Sequence, residues 1–113
     1  MSIRSLNGLT PDSGSGGAAP EGGLSGNVVT VTGNYVMSEN DDYILVNASS
    51  NPVTITLVPT SGKAVVVKKV DASSNAVTIT TSSGSIDGGT SVSIPYQGSA
   101  YTLISDGVNW YLF

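Results

Sequence analysis

The sequence of 113 residues contains no cysteine and no histidine. Without cysteine there is no disulfide framework, no thiolate zinc site and no cysteine nucleophile. Without histidine, every mechanism that moves a proton through an imidazole is excluded as well. These two absences remove most familiar hydrolase mechanisms. We therefore expect no enzyme activity, no catalytic residue, no cofactor and no metal site.

Charge is also scarce, because Asp, Glu, Lys and Arg make up only 11% of the residues, whereas an ordinary soluble domain has about 25%. Four basic residues against eight acidic ones leave a net charge of −4. Lys63, Lys68 and Lys69 would form too small a patch to hold nucleic acid against salt. No apolar run approaches the roughly 20 residues of a membrane span. We therefore expect neither a nucleic-acid partner nor a membrane partner.

The first 26 residues differ in composition from the rest of the chain. Glycine, serine, alanine and proline make up most of this segment, so it has almost no side chain that a core could bury. We therefore divide the chain into an extended N-terminal arm, residues 1–26, and a β-sandwich domain, residues 27–113. The sizeable apolar side chains Leu6, Leu9 and Leu24 are expected to dock the arm onto a partner.

From residue 27 onward, apolar and polar residues alternate with a period of two. The segments 29–32, 53–57 and 77–80 all alternate Val, Ile or Leu with Thr. This alternation is typical of strands with one buried face and one wet face, and the branched, hydroxylated Thr side chain suits the wet face. No helical pattern longer than one turn is present. The sequence therefore predicts an all-β fold.

A repeat underlies this alternation. The segments 29–32, 53–56 and 77–80 begin 24 residues apart, and the Asn-Ala-Ser-Ser-Asn at 47–51 returns as Asp-Ala-Ser-Ser-Asn at 71–75. Stacked β-hairpins of a sandwich and coils of a β-solenoid both fit such a period. Because three repeats without obvious caps make a poor solenoid, we favour the hairpins. The predicted fold is a compact antiparallel β-sandwich or jelly-roll-like domain built from about three 24-residue hairpin repeats.

Four segments, 43–46, 64–67, 101–104 and 110–113, are apolar on both faces of a strand. One face of each can fill the core, and the other has to be covered because an exposed apolar stripe of that size is a liability. We expect neighbouring subunits to cover it, in a closed ring such as a homotrimer. The residues predicted to lie in the core or at the subunit interface are Tyr43, Leu45, Tyr101, Trp110, Leu112 and Phe113.

Candidate chemical sites have simpler structural interpretations. Glu39, Asp41 and Asp42 could bind calcium through oxygen ligands, but their spacing matches no calcium loop and is typical of a solvated turn. Trp110 and Tyr96, with Tyr101 and Tyr111, could form an aromatic platform for carbohydrate. However, Trp110 alternates with its neighbours in a strand pattern, which favours a core or interface anchor.

The end of the chain predicts a hairpin. Asp106-Gly107 separates two apolar runs, and both residue types tolerate the positive φ angles of a two-residue turn. In the same strand pattern, Val108, Trp110 and Leu112 would share one face. The Ser-Asp-Gly-Val-Asn-Trp-Tyr at 105–111 therefore contains both a turn and an anchoring strand.

The motif at 105–111 also carries a resemblance to a known family. Together with the strand segments before it, from about residue 34 to residue 113, it resembles the small β-modules of tailed-bacteriophage virion proteins. The Ser-Leu-Asn-Gly-Leu-Thr at 5–10 is similar to a segment that often precedes such modules in tail fibres. This resemblance implies an all-β building or attachment part that assembles as a trimer or on a trimeric scaffold.

Because the chain runs from a methionine to Phe113 with no long shaft and no separate anchoring domain, we expect a free-standing module. The expected function is that of a non-enzymatic capsid decoration (cement) protein on the outer capsid surface. It would clamp neighbouring capsomers through the β-domain and the arm. Its partners would be copies of itself and the major capsid protein or another virion protein. The alternative is a tail-fibre or receptor-binding tip module that recognises host-surface glycans.

Overall fold

The computed structural model describes residues 26–113, and in this range the chain forms nine β-strands and no helix, so no helix is available to span a membrane. The prediction of an all-β fold is confirmed for this part of the chain. The predicted arm residues Leu6, Leu9 and Leu24 lie outside the described residues. The strands are β1 (Val28–Val31), β2 (Tyr35–Val36), β3 (Tyr43–Val46), β4 (Val53–Leu57), β5 (Ala64–Lys69), β6 (Val77–Thr81), β7 (Ser91–Ile94), β8 (Ala100–Ser105) and β9 (Trp110–Leu112).

The strands form two sheets that enclose one core. The five-stranded sheet has the order β1-β3-β5-β8-β9, and the four-stranded sheet has the order β2-β4-β6-β7. Alternate residues of both sheets are buried in a single hydrophobic cluster, including Ile44 and Leu103 from the first sheet and Ile55 and Ile79 from the second. The period-two alternation of the sequence is therefore the alternation between this core and the outer faces.

Consecutive strands from β1 to β6 alternate between the two sheets. Each coil of chain places one strand in the five-stranded sheet and the next in the four-stranded sheet, so that equivalent strands of successive coils pair in parallel. Antiparallel pairing begins only with β7, β8 and β9. The predicted antiparallel sandwich of hairpin repeats, and with it the jelly-roll, is therefore wrong. The first six strands are flattened coils, which is the arrangement that the solenoid alternative described.

The connections between strands explain this difference. The segments 47–52 and 70–76 cross from one sheet to the other, so consecutive strands lie face to face across the core and not edge to edge. The 24-residue period equals the sequence offset between residues that pair in the parallel strands β4 and β6, such as Val53 and Val77. Val29, however, pairs with Ile44 in the other sheet, so the segment 29–32 is not equivalent to 53–56.

The repeated Asn/Asp-Ala-Ser-Ser-Asn motif forms the same corner in two successive coils. In the first, the Asn47 side-chain oxygen accepts a hydrogen bond from the Ser49 amide at 3.0 Å. In the second, the Asp71 carboxylate accepts one from the Ser73 amide at 3.0 Å. Short side chains that bond to the backbone two residues later are the usual means of closing such turns. The motif therefore directs the chain from one sheet to the other.

Strands β8 and β9 form the predicted antiparallel hairpin, but its loop is longer than expected. The loop covers residues 106–109, and of the two predicted turn residues only Gly107 has a positive φ, 99°. The Asp106 carboxylate widens the loop because one oxygen accepts the amides of both Val108 and Asn109, at 2.9 and 2.8 Å. A two-residue turn of the type expected needs positive φ at both of its central residues.

Candidate interaction surface

The four segments that are apolar on both faces all lie in the five-stranded sheet, as β3, β5, β8 and β9. Their inner residues, such as Ile44, Val65 and Leu103, are fully buried. Their other apolar residues therefore face outward together on one side of the molecule. We call the outer surface of this sheet the apolar face. Its apolar residues are Val28 of β1, Tyr43, Leu45, Ala64, Val66, Ala100, Ile104, Tyr111 and Phe113, and Thr30, Lys68 and Thr102 lie among them.

The strand register arranges the apolar face in rows. Val28, Tyr43, Val66 and Thr102 lie side by side on four adjacent strands, and Phe113 extends this row because its amide donates to the Thr102 carbonyl. Adjacent members of a row are about 4.8 Å apart. Val28 is 61% exposed, Tyr43 44% and Phe113 79%. Apart from Thr102 the row is therefore apolar, and the described part of the chain leaves much of it exposed.

The outer face of the four-stranded sheet has the opposite character. Thr54, Thr78 and Ser93 form one row across β4, β6 and β7. The row beside it has the same composition on these three strands and continues onto β2 with Val36, which is 61% exposed. We call this surface the hydroxyl face, and its residues are Thr54, Thr56, Thr78, Thr80, Ser91 and Ser93. Hydroxyl groups keep a pleated surface wet while their β-carbons suit the strand. This face has the composition of a surface that stays in water.

The motif at 105–111 holds the last hairpin against the rest of the fold. The Ser105 hydroxyl oxygen accepts the Thr60 amide at 3.2 Å and the Gly107 amide at 3.0 Å. The amides of Asn109 and Val108 lower the pKa of Asp106. These side chains are used to close turns and to join separate loops.

The second half of the motif continues this role. The Asn109 side-chain oxygen accepts the Ser85 amide at 2.9 Å, which ties the hairpin loop to the segment before β7. Trp110 is fully buried in the core, whereas Val108 lies in the loop and is 64% exposed. The expectation that Val108 shares a face with Trp110 is therefore wrong, because the four-residue loop takes Val108 out of the strand. A buried indole also offers no platform for a carbohydrate, and Tyr96 is the exposed ring of that pair, at 73%.

The aspartates of the acidic segment at 39–42 close its turn and join it to neighbouring segments. The Asp41 carboxylate accepts the Ser38 amide at 2.8 Å and the Tyr35 hydroxyl at 2.5 Å, and this hydrogen bond raises the pKa of Tyr35. Asp42 lies 2.8 Å from the Lys63 ammonium, which lowers the pKa of that carboxyl. Across residues 26–113, no group of three or more acidic side chains is gathered as a metal site would require.

A buried ion pair was not anticipated from the sequence. Lys69 and Asp71 lie 2.7 Å apart, and the Lys69 side chain is fully buried. The Asp71 carboxylate also accepts the Ala48 amide at 2.7 Å and the Ser73 hydroxyl. Burial opposes ionisation of Asp71, but the bonds from Lys69, Ser73 and the backbone outweigh it, so the net pKa is lowered. One signal was available, because Lys69 continues the inward alternation of Val65 and Val67 in β5.

The positions of the lysines also exclude the basic patch of Lys63, Lys68 and Lys69 considered above. Lys69 is inside the core, and Lys63 is paired with Asp42. Lys68 points outward instead and donates to the Gly98 carbonyl at 2.7 Å. The three lysines therefore do not form one surface.

The remaining predicted interface residues occupy three kinds of position. Tyr43 and Leu45 lie on the apolar face, Phe113 is exposed at the end of the chain, and Tyr101 and Leu112 pack half-buried against the core. A subunit contact at these residues stays a prediction. A scan of the sequence against known protein families finds no match, and no curated protein matches it.

Proposed function

We propose that this chain is a non-enzymatic structural protein of a bacteriophage virion, a capsid decoration protein that clamps neighbouring capsomers on the outer capsid surface. The observation that carries the structural part of this proposal is the contrast between the two outer faces. The apolar face has the composition of a surface that is covered, and the hydroxyl face that of a surface left in water. The resemblance of residues 34–113 to virion β-modules supports the phage assignment.

The occupant proposed for the apolar face is another copy of the chain, in a homotrimer. Among the strand residues of this face Lys68 is the one charged side chain, and its ammonium is held by a backbone carbonyl. From strand spacing and rise, five strands of this length cover roughly 300–400 Å². That area is the size of a functional patch, but it is below the roughly 800 Å² per partner of a standard interface. We therefore place the apolar face at the centre of a larger contact.

The described aspartates fit a structural role. Each of Asp41, Asp42, Asp71, Asp87 and Asp106 accepts at least one hydrogen bond from a backbone amide. A hollow beside β2 is lined by Met37, Ser38, Glu39, Val58 and Thr60. Glu39 is the one carboxylate in this lining, whereas glycoside hydrolysis requires a pair of carboxylates.

A charge placed on each outer face in turn tests the proposal. Val66 lies mid-strand in β5 on the apolar face, and Thr78 lies mid-strand in β6 on the hydroxyl face. The full-length protein and the variants Val66→Lys and Thr78→Lys are mixed with undecorated, expanded capsids. Binding is then measured by co-sedimentation, and oligomer mass by analytical ultracentrifugation. We expect the wild type and Thr78→Lys to form trimers or multiples of trimers and to bind, and Val66→Lys to lose the trimer contact and bind at least tenfold more weakly.

Circular dichroism of both variants serves as the folding control for this experiment. If the wild-type protein fails to bind capsids, the decoration role is wrong. If Val66→Lys and Thr78→Lys weaken assembly equally, the apolar face is not the contact surface.

The alternative function, a tail-fibre or receptor-binding tip module for host-surface glycans, is supported by the exposure of Tyr96, 73%. An exposed ring can stack on a sugar face. Adsorption of the Tyr96→Ala protein to host cells tests this function, with Val108→Ala, another exposed apolar side chain outside the apolar face, as the control. A selective loss of adsorption for Tyr96→Ala would favour the tip module over the decoration protein.

A further inference from the structure

The two ends of the sandwich differ in how their edge strands are covered. At the end formed by β7 and β9, the segment before β7 pairs with β9: Trp110 donates to the Ser85 carbonyl and accepts from the Asp87 amide. At the other end, β1 and β2 are the outermost strands of the two sheets, and each has one strand partner in the described part of the chain. We call the two outer strand edges at this end, one on β1 and one on β2, the open end.

The open end presents backbone groups that the described fold leaves free. The carbonyls of Asn27 and Val31 accept hydrogen bonds from the β3 side. Because successive residues of a strand direct their amides and carbonyls to opposite sides, Val28 and Thr30 direct theirs away from β3. In β2, the Met37 amide donates to the Thr56 carbonyl, so the backbone amide and carbonyl of Val36 point away from β4. Such a row of free donors and acceptors is a template for strand addition.

Within residues 26–113, the open end also lacks the features that normally prevent such addition. Proteins protect sheet edges with charged side chains, proline, bulges or a covering loop. Residues 26–37 contain no charged residue and no proline, whereas β7, the edge strand at the opposite end, leads directly into Pro95. The core at the open end terminates in Val29, Val31 and Tyr35, which are only partly buried. An added strand would cover these side chains.

The segment of the chain that precedes the open end is poorly suited to covering it. Connections from the four-stranded to the five-stranded sheet occupy residues 37–42 and 58–63. With the same spacing, a preceding coil would need a strand of the four-stranded sheet near residues 18–21, which read Ala-Ala-Pro-Glu and are flanked by glycine. Glycine, proline and glutamate are depleted in strands. Another chain is therefore the better source of the strand that completes this end.

We propose that a second copy of this chain occupies the open end, related by a twofold axis that runs from one sheet to the other. Such an axis pairs β1 with β1 and β2 with β2 in antiparallel fashion, so both edges are satisfied at once. The product has one continuous sheet of ten strands and one of eight, and it seals the core at Val29, Val31 and Tyr35. This contact uses a different surface from the apolar face and holds whether or not the chain belongs to a virion.

Because the chain has no cysteine, introduced thiols test the pairing directly. The full-length variant Val28→Cys/Thr30→Cys places thiols on the β1 edge. Twofold pairing centred at residue 28, 29 or 30 brings two of them opposite each other, with α-carbons about 5.5 Å apart. That separation lies within the range that disulfides bridge. The matched control, Ser91→Cys/Ser93→Cys, has the same spacing on β7.

We expect the β1 variant to form a reducible covalent dimer at least tenfold faster than the β7 variant under mild oxidation at micromolar protein. Equal rates for the two variants, or no dimer from the β1 variant, would overturn the proposal. The rates are followed on non-reducing gels, with circular dichroism as the check that both variants are folded.

Analytical ultracentrifugation distinguishes the twofold contact at the open end from the proposed trimer contact on the apolar face. The Val66→Lys protein, in which the apolar face is blocked, should still sediment as a dimer, and adding Thr30→Lys should convert it to a monomer. A Val66→Lys protein that is already monomeric at these concentrations contradicts the twofold contact. Conversely, if Val66→Lys leaves assembly unchanged while Thr30→Lys alone disrupts it, the open-end contact stands and the trimer on the apolar face fails.

Discussion

The two sheets are alike on the inside and different on the outside. Both direct Val, Ile and Leu into one core. The outer face of the four-stranded sheet is mostly Thr and Ser, with Val36 at its edge, whereas the five-stranded sheet presents Tyr43, Val66 and Ile104. Folding of the sandwich requires only the inner faces, since the hydroxyl face serves the second sheet well. The apolar outer residues of the first sheet are therefore explained better by contacts with another molecule than by the stability of the domain.

The sheets also differ inside the core at one position. The inner face of β5 ends in Lys69, whose ammonium is paired with Asp71, while the fully buried residues of β4 and β6 in the other sheet are all apolar. A buried pair is sensitive to loss of one partner, because the remaining charge is left without compensation. The five-stranded sheet therefore has a weak point that the four-stranded sheet lacks.

The largest expected effect comes from breaking this pair. Asp71→Ala leaves the buried ammonium of Lys69 unpaired and should reduce the free energy of unfolding more than any other change proposed here. Asn47→Ala is the control, because Asn47 closes the same corner one coil earlier without a buried charge, and its loss should be about 1 kcal/mol. Urea denaturation measures both. Equal losses would show that the corner matters and the ion pair does not.

Truncation of one inner leucine from each sheet tests whether the inner faces are equivalent. Leu57 and Leu103 are both fully buried, the first in β4 and the second in β8. Each change to Ala should lower the free energy of unfolding by about 2–5 kcal/mol, from lost burial and the cavity left behind. Denaturation curves with unchanged slope are expected. A loss confined to one sheet would mean that the two sheets do not share one cooperative core.

Acid should lower the free energy of unfolding through Asp71 and Asp42, which lie beside strands of the five-stranded sheet. The pKa values of Asp71 and Asp42 are lowered in the folded state, so the stability that these carboxylates contribute is complete above their ordinary pKa of about 4. It is lost as the pH falls through the lower folded values. The urea midpoint should therefore be lower at about pH 2.5 than at about pH 6. The double variant Lys69→Met/Asp71→Leu should show a smaller decrease, and an unchanged decrease would contradict the role of the pair.

Exchanging the outer faces should have the smallest effect on the folded domain. Val66→Thr and Thr78→Val swap the characters of two mid-strand outward positions, and each should change the free energy of unfolding by less than about 0.5 kcal/mol when measured on the monomer. Binding of an apolar dye should fall for Val66→Thr and rise for Thr78→Val. A stability loss of several kcal/mol for Val66→Thr would show that the apolar face belongs to the fold itself.

Much of the fold follows from short-range patterns, and the errors concern pairing. The alternation in 53–57 and 77–80 identified two strands and their buried sides. The 24-residue offset between them, interpreted from the sequence as a hairpin repeat, equals their parallel register in the structure. The same alternation could not show that Val29 pairs with Ile44, because a residue facing the core looks the same whichever strand lies beside it. Lys69 was assigned to the surface because charged residues are seldom buried without a partner, and its partner is supplied by the corner at Asp71.

What the sequence by itself determined is local: the all-β class, which residues face the core, and which strands carry a second apolar face. These properties depend on side-chain type and on a period of two, and both can be read along the chain. Only the tertiary structure decided that the first six strands wind as parallel coils between two sheets. It also placed the second apolar faces on one surface and made β1 and β2 the outermost strands at the same end of the two sheets. Those outcomes depend on which distant segments become neighbours, and backbone hydrogen bonding between strands is nearly indifferent to sequence.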